Sequence, residues 1–235
     1  GHRPYAPGDD LRRLDWNAYG RLGRFFMREF ERERAEHLTL LVDTSRSMAP
    51  GDKHVLARRA AAAMAFLALR RGGSVALAGQ AAVEGEARFA RVLDGLRALQ
   101  PEGGPLGEQL AALASRPRAP SDLFVVTDGL EALRSFEPLA LLSQRRCAVT
   151  LLLVLAPEEL NPAATGPASM RGLEEPEQLS LDLTPQLVAA YGVELRKHLD
   201  EINALAARHG WTLAVTDSGA DLRELFMDQL AGVSS

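Results

Sequence analysis

The chain has little of what marks several large protein classes. Cys147 is its lone cysteine, so no disulfide can form within it, and a reducing compartment suits it. Cys147 opens a strongly apolar run, where a thiol reads as a buried, inert group. Long hydrophobic runs are also missing. The two longest, Ala60–Leu69 and Cys147–Ala156, are about half of the ~20 residues that a membrane-spanning helix needs. Aromatic residues make up only 6% of the chain. The net charge of −4 argues against general nucleic-acid binding, which favours basic domains. No signal peptide opens the sequence. It starts at Gly1-His2-Arg3 without a methionine and reads as a fragment, a cytoplasmic one unless a missing N-terminal part carries a membrane anchor. There is no phosphate loop and no Gly-x-Gly-x-x-Gly turn, which speaks against nucleotide binding. No Gly-x-Ser-x-Gly elbow accompanies the histidines. His2, His37, His54, His198 and His209 are scattered without metal-ligand spacing.

What is present is an ordinary globular composition, 46% apolar and 25% charged over 235 residues, enough for a substantial core. From Leu38 onward, short apolar strands alternate with helical patterns, the mark of an open parallel sheet covered by helices. Expected strands are Leu38–Val42, Ser74–Ala78, Leu123–Thr127, Cys147–Leu155 and Trp211–Val215. Expected helices are Lys53–Arg70, Phe89–Leu99, Leu106–Ala114, Glu131–Arg145, a long one from Thr184-Pro185 to His209, and Asp221–Leu230. Residues 156–180 interrupt the rhythm with Pro157, Asn161-Pro162, Gly166-Pro167 and Pro176, predicting an irregular insertion or a small hairpin. Residues 1–36 form a distinct N-terminal segment ahead of a domain spanning 37–235. Within it, residues 25–34 put Phe26, Arg28, Phe30, Arg32 and Arg34 on one alternating face. As a helix they would oppose like charges four apart, so a strand is preferred.

Two strand ends carry the chemistry. The first strand runs into Asp43-Thr44-Ser45-Arg46-Ser47, and a later one ends in Thr127-Asp128-Gly129. Ligands of such sheets gather at the carboxyl ends of strands, near a reversal of strand order. If the two strands are neighbours, Asp43 and Asp128 converge and repel unless a cation intervenes. Ser45 and Ser47 add neutral oxygens, a hard donor set suited to Mg²⁺ with waters and a partner's carboxylate completing the shell. The plainer reading is turn chemistry: Asp43 capping its turn and Asp128-Gly129 forming an ordinary one. The position of both motifs directly after buried strands favours a site.

The Asp-x-Ser-x-Ser arrangement is that of a von Willebrand factor A-type metal site. Pro7-Gly8-Asp9-Asp10-Leu11-Arg12-Arg13-Leu14-Asp15-Trp16, then Arg28-Glu29-Phe30, then Asp43 to Met48, resemble the bacterial domain-of-unknown-function-58 family. The likeness runs on through Thr127-Asp128-Gly129, Pro157-Glu158-Glu159 and the helix from Thr184. It implies a von Willebrand factor A-like (Rossmann-like) α/β fold, with an open, mostly parallel sheet and helices on both faces. It also implies a protein partner, a MoxR-type AAA+ ATPase, in systems that assemble or mature other proteins. Metal sites of this type take a further Thr ligand. The matching loop, Gly103-Gly104-Pro105, offers Pro105 and no hydroxyl, and Ala156 stands where the family tends to have Asp. Magnesium at Asp43, Ser45, Ser47 and Asp128 is therefore one ligand short.

Other readings stay open. Asp9, Asp10, Arg12, Arg13 and Asp15 form either a docking surface for the ATPase or, preferred, an internal salt-bridge network anchored by Trp16 and Tyr19. A metal-independent scaffold with a degenerate site is the alternative to a metal-dependent adaptor. A Mg²⁺-dependent phosphohydrolase ranks below both, because Ser45 stands where haloacid dehalogenase-type enzymes need a second Asp.

Overall fold

The computed structural model describes residues 2–4, 26–28, 37–162, 166–171 and 178–229. The chain divides into two units, Gly1–Glu36 and His37–Ser235. In the first, β1 (His2–Pro4) pairs antiparallel with β2 (Phe26–Arg28), His2 opposite Arg28. Those three residues are extended, as the alternation in 25–34 predicts. The acidic and basic residues Asp9, Asp10, Arg12, Arg13 and Asp15, with Trp16 and Tyr19, lie outside the described residues.

The second unit is built on a six-stranded sheet. In chain order its strands are β3 (His37–Val42), β4 (Ser74–Leu77), β5 (Val83–Glu84), β6 (Asp122–Thr127), β7 (Ala148–Leu155) and β10 (Thr212–Asp217). In space the order is β10-β7-β6-β3-β4-β5. All neighbours are parallel except the β4–β5 pair at one edge. The chain steps from β3 outward to β4, then returns to lay β6 on the other side of β3. Strand order therefore reverses between β3 and β6, and a crevice opens at their carboxyl ends.

Helices cover both faces, as the alternating pattern requires. On one face Leu40, Val42, Phe124, Val126, Leu152 and Val154 meet α1 (Lys53–Arg70) and α2 (Phe89–Ala98). Ala57, Ala60, Ala61 and Ala65 are wholly buried there, and their small side chains let α1 lie close to the sheet. On the other face Leu41, Leu123, Val125, Leu151 and Leu153 meet α3 (Leu106–Ala114), α4 (Glu137–Gln144) and α6 (Pro185–His209). Among the described residues no helix is long and apolar enough to cross a membrane.

Helix boundaries follow local chemistry. α1, α3 and α6 begin and end where expected. Thr184 Oγ1 accepts from the Leu187 amide at 3.2 Å, and Gly210 closes α6 with φ 69°. The expected helix Glu131–Arg145 is shorter. A 3₁₀ turn, Leu133–Phe136, precedes α4, which starts at Glu137. Pro138 explains this: it fits a first helical turn, but inside a helix begun at Glu131 it would remove a hydrogen bond and clash with the carbonyl four residues back. The break within 156–180 consists of a short helix, α5 (Pro157–Leu160), and a hairpin of β8 (Gly166–Arg171) and β9 (Gln178–Leu183). The last helix, expected over Asp221–Leu230, is α-helical only over α7 (Leu222–Glu224) and continues as a wider π turn, Leu225–Gln229.

Cys147 sits just before β7 and is 5% exposed. Burial, reinforced by the Asp122 carboxylate, pushes its thiol up to about 12. Since the thiolate is the reactive form, Cys147 in the native protein should resist alkylation by iodoacetamide at about pH 8 and react within minutes once unfolded. Rapid stoichiometric labelling of the native protein would contradict this placement.

Candidate partner and cation site

The β3–β6 register builds the site. Val42 lies opposite Val126, and the Asp43 amide donates to the Val126 carbonyl at 2.8 Å. The next residues along, Thr127 and Asp128, therefore stand beside Asp43 at the crevice. Five buried polar residues gather at this edge: Asp43, Ser45, Lys53, Thr127 and Asp128.

Asp43 is held by three donors. Its Oδ1 accepts from the Ser45 amide at 2.8 Å and from Gln109 Nε2 at 3.2 Å. Its Oδ2 accepts from Thr127 Oγ1 at 2.6 Å. Burial raises the Asp43 pKa above its ordinary value and the Asp128 charge adds to the rise, while these hydrogen bonds act the other way. The Ser45 and Ser47 hydroxyls are 3.0 Å apart. The turn that carries them bridges the next loop, where Gly103 donates its amide to the Thr44 carbonyl at 2.7 Å. A Cβ on Gly103 would fall 2.3 Å from Thr44 Oγ1, so the close approach requires glycine.

Asp128 faces a different partner. Lys53, the first residue of α1 and fully buried, donates from Nζ to Asp128 Oδ2 at 2.9 Å and to Glu159 Oε1 at 2.5 Å. Asp128 Oδ1 accepts from the Leu130 amide at 3.2 Å, and Glu159 Oε2 from the Ala156 amide at 2.7 Å. The sequence reading left Lys53, Thr127 and Gln109 without a role. For Lys53 a signal existed: a cation in the first turn of a helix opposes the helix dipole, a local rule broken where function or strain is expected.

Pro105 begins the α3 turn without a capping side chain. Glu131 supplies the cap from the other loop, its Oε1 accepting from the Leu106 amide at 2.5 Å and its Oε2 from the Gly107 amide at 3.3 Å. Gln109 Nε2 also donates to the Gly104 carbonyl at 2.9 Å. The loop that lacks a hydroxyl is thus tied to Asp43 through Gln109.

The fit to Mg²⁺ divides by residue type. Two adjacent ligands of an octahedral ion at 2.0–2.1 Å stand about 3.0 Å apart, which is the spacing of the two serine hydroxyls. The carboxylates do not fit. Both oxygens of Asp43 are engaged by protein donors and Asp128 is paired with an ammonium. As a set, these residues do not fit a resident divalent ion.

This topology, with its strand-end Asp-x-Ser-x-Ser turn, makes the second unit a von Willebrand factor A-like domain. The chain belongs to the family described as protein of unknown function DUF58, whose model matches residues 1–201. Solved structures that resemble it include the following three. The conserved hypothetical protein BatB from Bacteroides thetaiotaomicron is 14% identical, with a TM-score of 0.48 over 85% of this chain and 98% of that one. An aerotolerance-related membrane protein from Bacteroides fragilis NCTC 9343 is 13% identical, with a TM-score of 0.45 over 83% and 99%. A von Willebrand factor type A protein from Catenulispora acidiphila is 15% identical, with a TM-score of 0.43 over 85% and 42%. Against curated proteins the sequence finds no match.

The Asp43 hydrogen bonds give a direct test. Asp43→Asn keeps an acceptor for the Ser45 amide and Gln109 and can donate to Thr127, whereas Asp43→Ala takes an acceptor from all three donors and leaves the Ser45 amide without its side-chain partner. Asp43→Ala should cost about 2–4 kcal/mol in urea unfolding and Asp43→Asn less than about 1. Because the folded-state pKa of Asp43 is raised, its ionisation costs stability above that pKa and the cost vanishes below the unfolded value. Wild type should therefore gain on Asp43→Asn as pH falls through the raised pKa. Equal losses in the two variants would refute the hydrogen-bond assignment.

Proposed function

We propose that this chain is a non-enzymatic protein-interaction domain. It would act as an adaptor that docks a partner on the carboxyl edge of the sheet and works with a MoxR-type AAA+ ATPase in assembling or maturing other proteins. The observation that carries this reading is the division of the site into locked charges and an open rim. Asp43 and Asp128 are buried and fully engaged. Above them Arg46, Ser47, Glu102, Gly103 and Gly104 are exposed or half-buried. An acid held by three donors is a poor nucleophile, and among the described residues no general base hydrogen-bonds to it. A rim of one cation, one carboxylate, one hydroxyl and exposed glycine loop suits a protein ligand.

A cavity of about 280 Å³ beside the rim supports the same reading. It is walled by Val42, Thr44, Gly79, Gln80, Leu99 and Gln109, and it is at the small end for a substrate or cofactor site. It has room for an apolar side chain of a partner. A metal-dependent form of the same docking, with Mg²⁺ on the serine hydroxyls, is favoured by their 3.0 Å separation and opposed by the engaged carboxylates.

Rim variants Arg46→Glu and Ser47→Arg should each weaken binding of a purified MoxR-type ATPase from the same organism by about tenfold, without a change in melting temperature. Undiminished binding by both variants would sink the docking face. Turnover of an aryl phosphate with Mg²⁺, abolished by Asp43→Asn, would replace this reading with a hydrolase.

A further inference from the structure

We infer that Lys53 is the resident cation of this site: its ammonium stands where a divalent ion would meet Asp128, so that the docking face works without metal. The inference rests on the docking reading above and adds what neutralises its floor. A lysine with no exposed surface is an expensive thing to bury, and desolvation is offset only when the charge is fully paired. Here the pairing is twofold. Asp128 arrives from the end of β6 and Glu159 from α5, at 2.9 and 2.5 Å. The lysine therefore ties the first turn of α1 to two elements that come much later in the chain.

The backbone ahead of Lys53 is built for this entry. Gly51 and Asp52 both adopt left-handed conformations, φ 61° and 56°. A Cβ on Gly51 would meet the Cβ of Ala156 at 2.5 Å. For a side chain other than glycine to adopt αL is unfavourable, and Asp52 accepts that conformation in the turn that delivers Lys53. The position is also wrong for a surface lysine, since the amino end of a helix repels cations. Two carboxylates at that end reverse the sign of the local field. All six oxygens of Asp43, Asp128 and Glu159 already have a protein donor. A divalent ion entering here would have to displace donors and approach an ammonium.

The test is cation binding by the intact chain, read by Mn²⁺ electron paramagnetic resonance and by thermal unfolding in ~10 mM MgCl₂ against EDTA at matched ionic strength. Wild type should bind no Mn²⁺ tighter than ~1 mM and shift by less than about 1 °C with Mg²⁺. Lys53→Met should melt lower, bind Mn²⁺ at least about tenfold tighter than wild type, and recover part of its melting temperature with Mg²⁺. In Lys53→Met/Asp128→Asn that recovery should be lost. Sub-millimolar Mn²⁺ binding by wild type overturns the inference without recourse to a variant, so a Lys53→Met protein that fails to fold does not leave it open. A folded Lys53→Met that ignores the cation overturns it too. The docking reading fails separately: wild type that binds metal can still lose its partner through Arg46→Glu, and a docking face that survives Arg46→Glu leaves the cation titration as it stands.

Discussion

The parallel pairing of β3 with β6 is the constraint on which the site depends. It is made late, after the chain has run out to β4 and β5 and back through α2 and α3. The reversal of strand order puts Asp43 beside Thr127 and Asp128. A slip of one residue would turn the core face of the strand that moves away from α1 and part Asp43 from Thr127. The apolar packing of two sheet faces thereby fixes the position of a handful of polar atoms, and the site inherits the rigidity of the core.

Those polar atoms are expensive. Buried ion pairs often fail to repay their desolvation, and breaking one by removing a partner typically costs about 3–5 kcal/mol. Lys53, Asp128 and Glu159 form such a group. It joins α1, β6 and α5 by contacts that no apolar substitution would aim so narrowly. Asp43 is handled differently, by neutral donors alone. The two aspartates at one sheet edge thus differ in environment although the sequence presents them alike.

Much of the fold was legible because it follows from local patterning. The strands after Leu38 are continuous apolar runs, as strands buried on both faces must be. α1 ends at paired glycines, and α6 opens on Thr184-Pro185. Ser45 and Ser47 were legible as neighbours of Asp43, being two and four residues along one turn. What stayed hidden came from afar. Lys53 read only as the first residue of a helix, Gln109 as a residue within one and Thr127 as the end of a strand. Only the tertiary return of β6 gives them roles. Glu131 was hidden by a wrong helix boundary, for its carboxylate serves α3 in place of α4. β5, two residues long, is too short to carry any period.

That short strand has its own effect on how copies of this chain meet. A sheet edge is a row of free amide and carbonyl groups that another chain can pair with. β5 offers only Val83 and Glu84, antiparallel to β4, with a glycine at φ 82° directly after. Strand-to-strand growth on that side has almost no template. Among the described residues the opposite margin is the longer strand Thr212–Asp217, so the sheet has one blunt border and one that crowding can test.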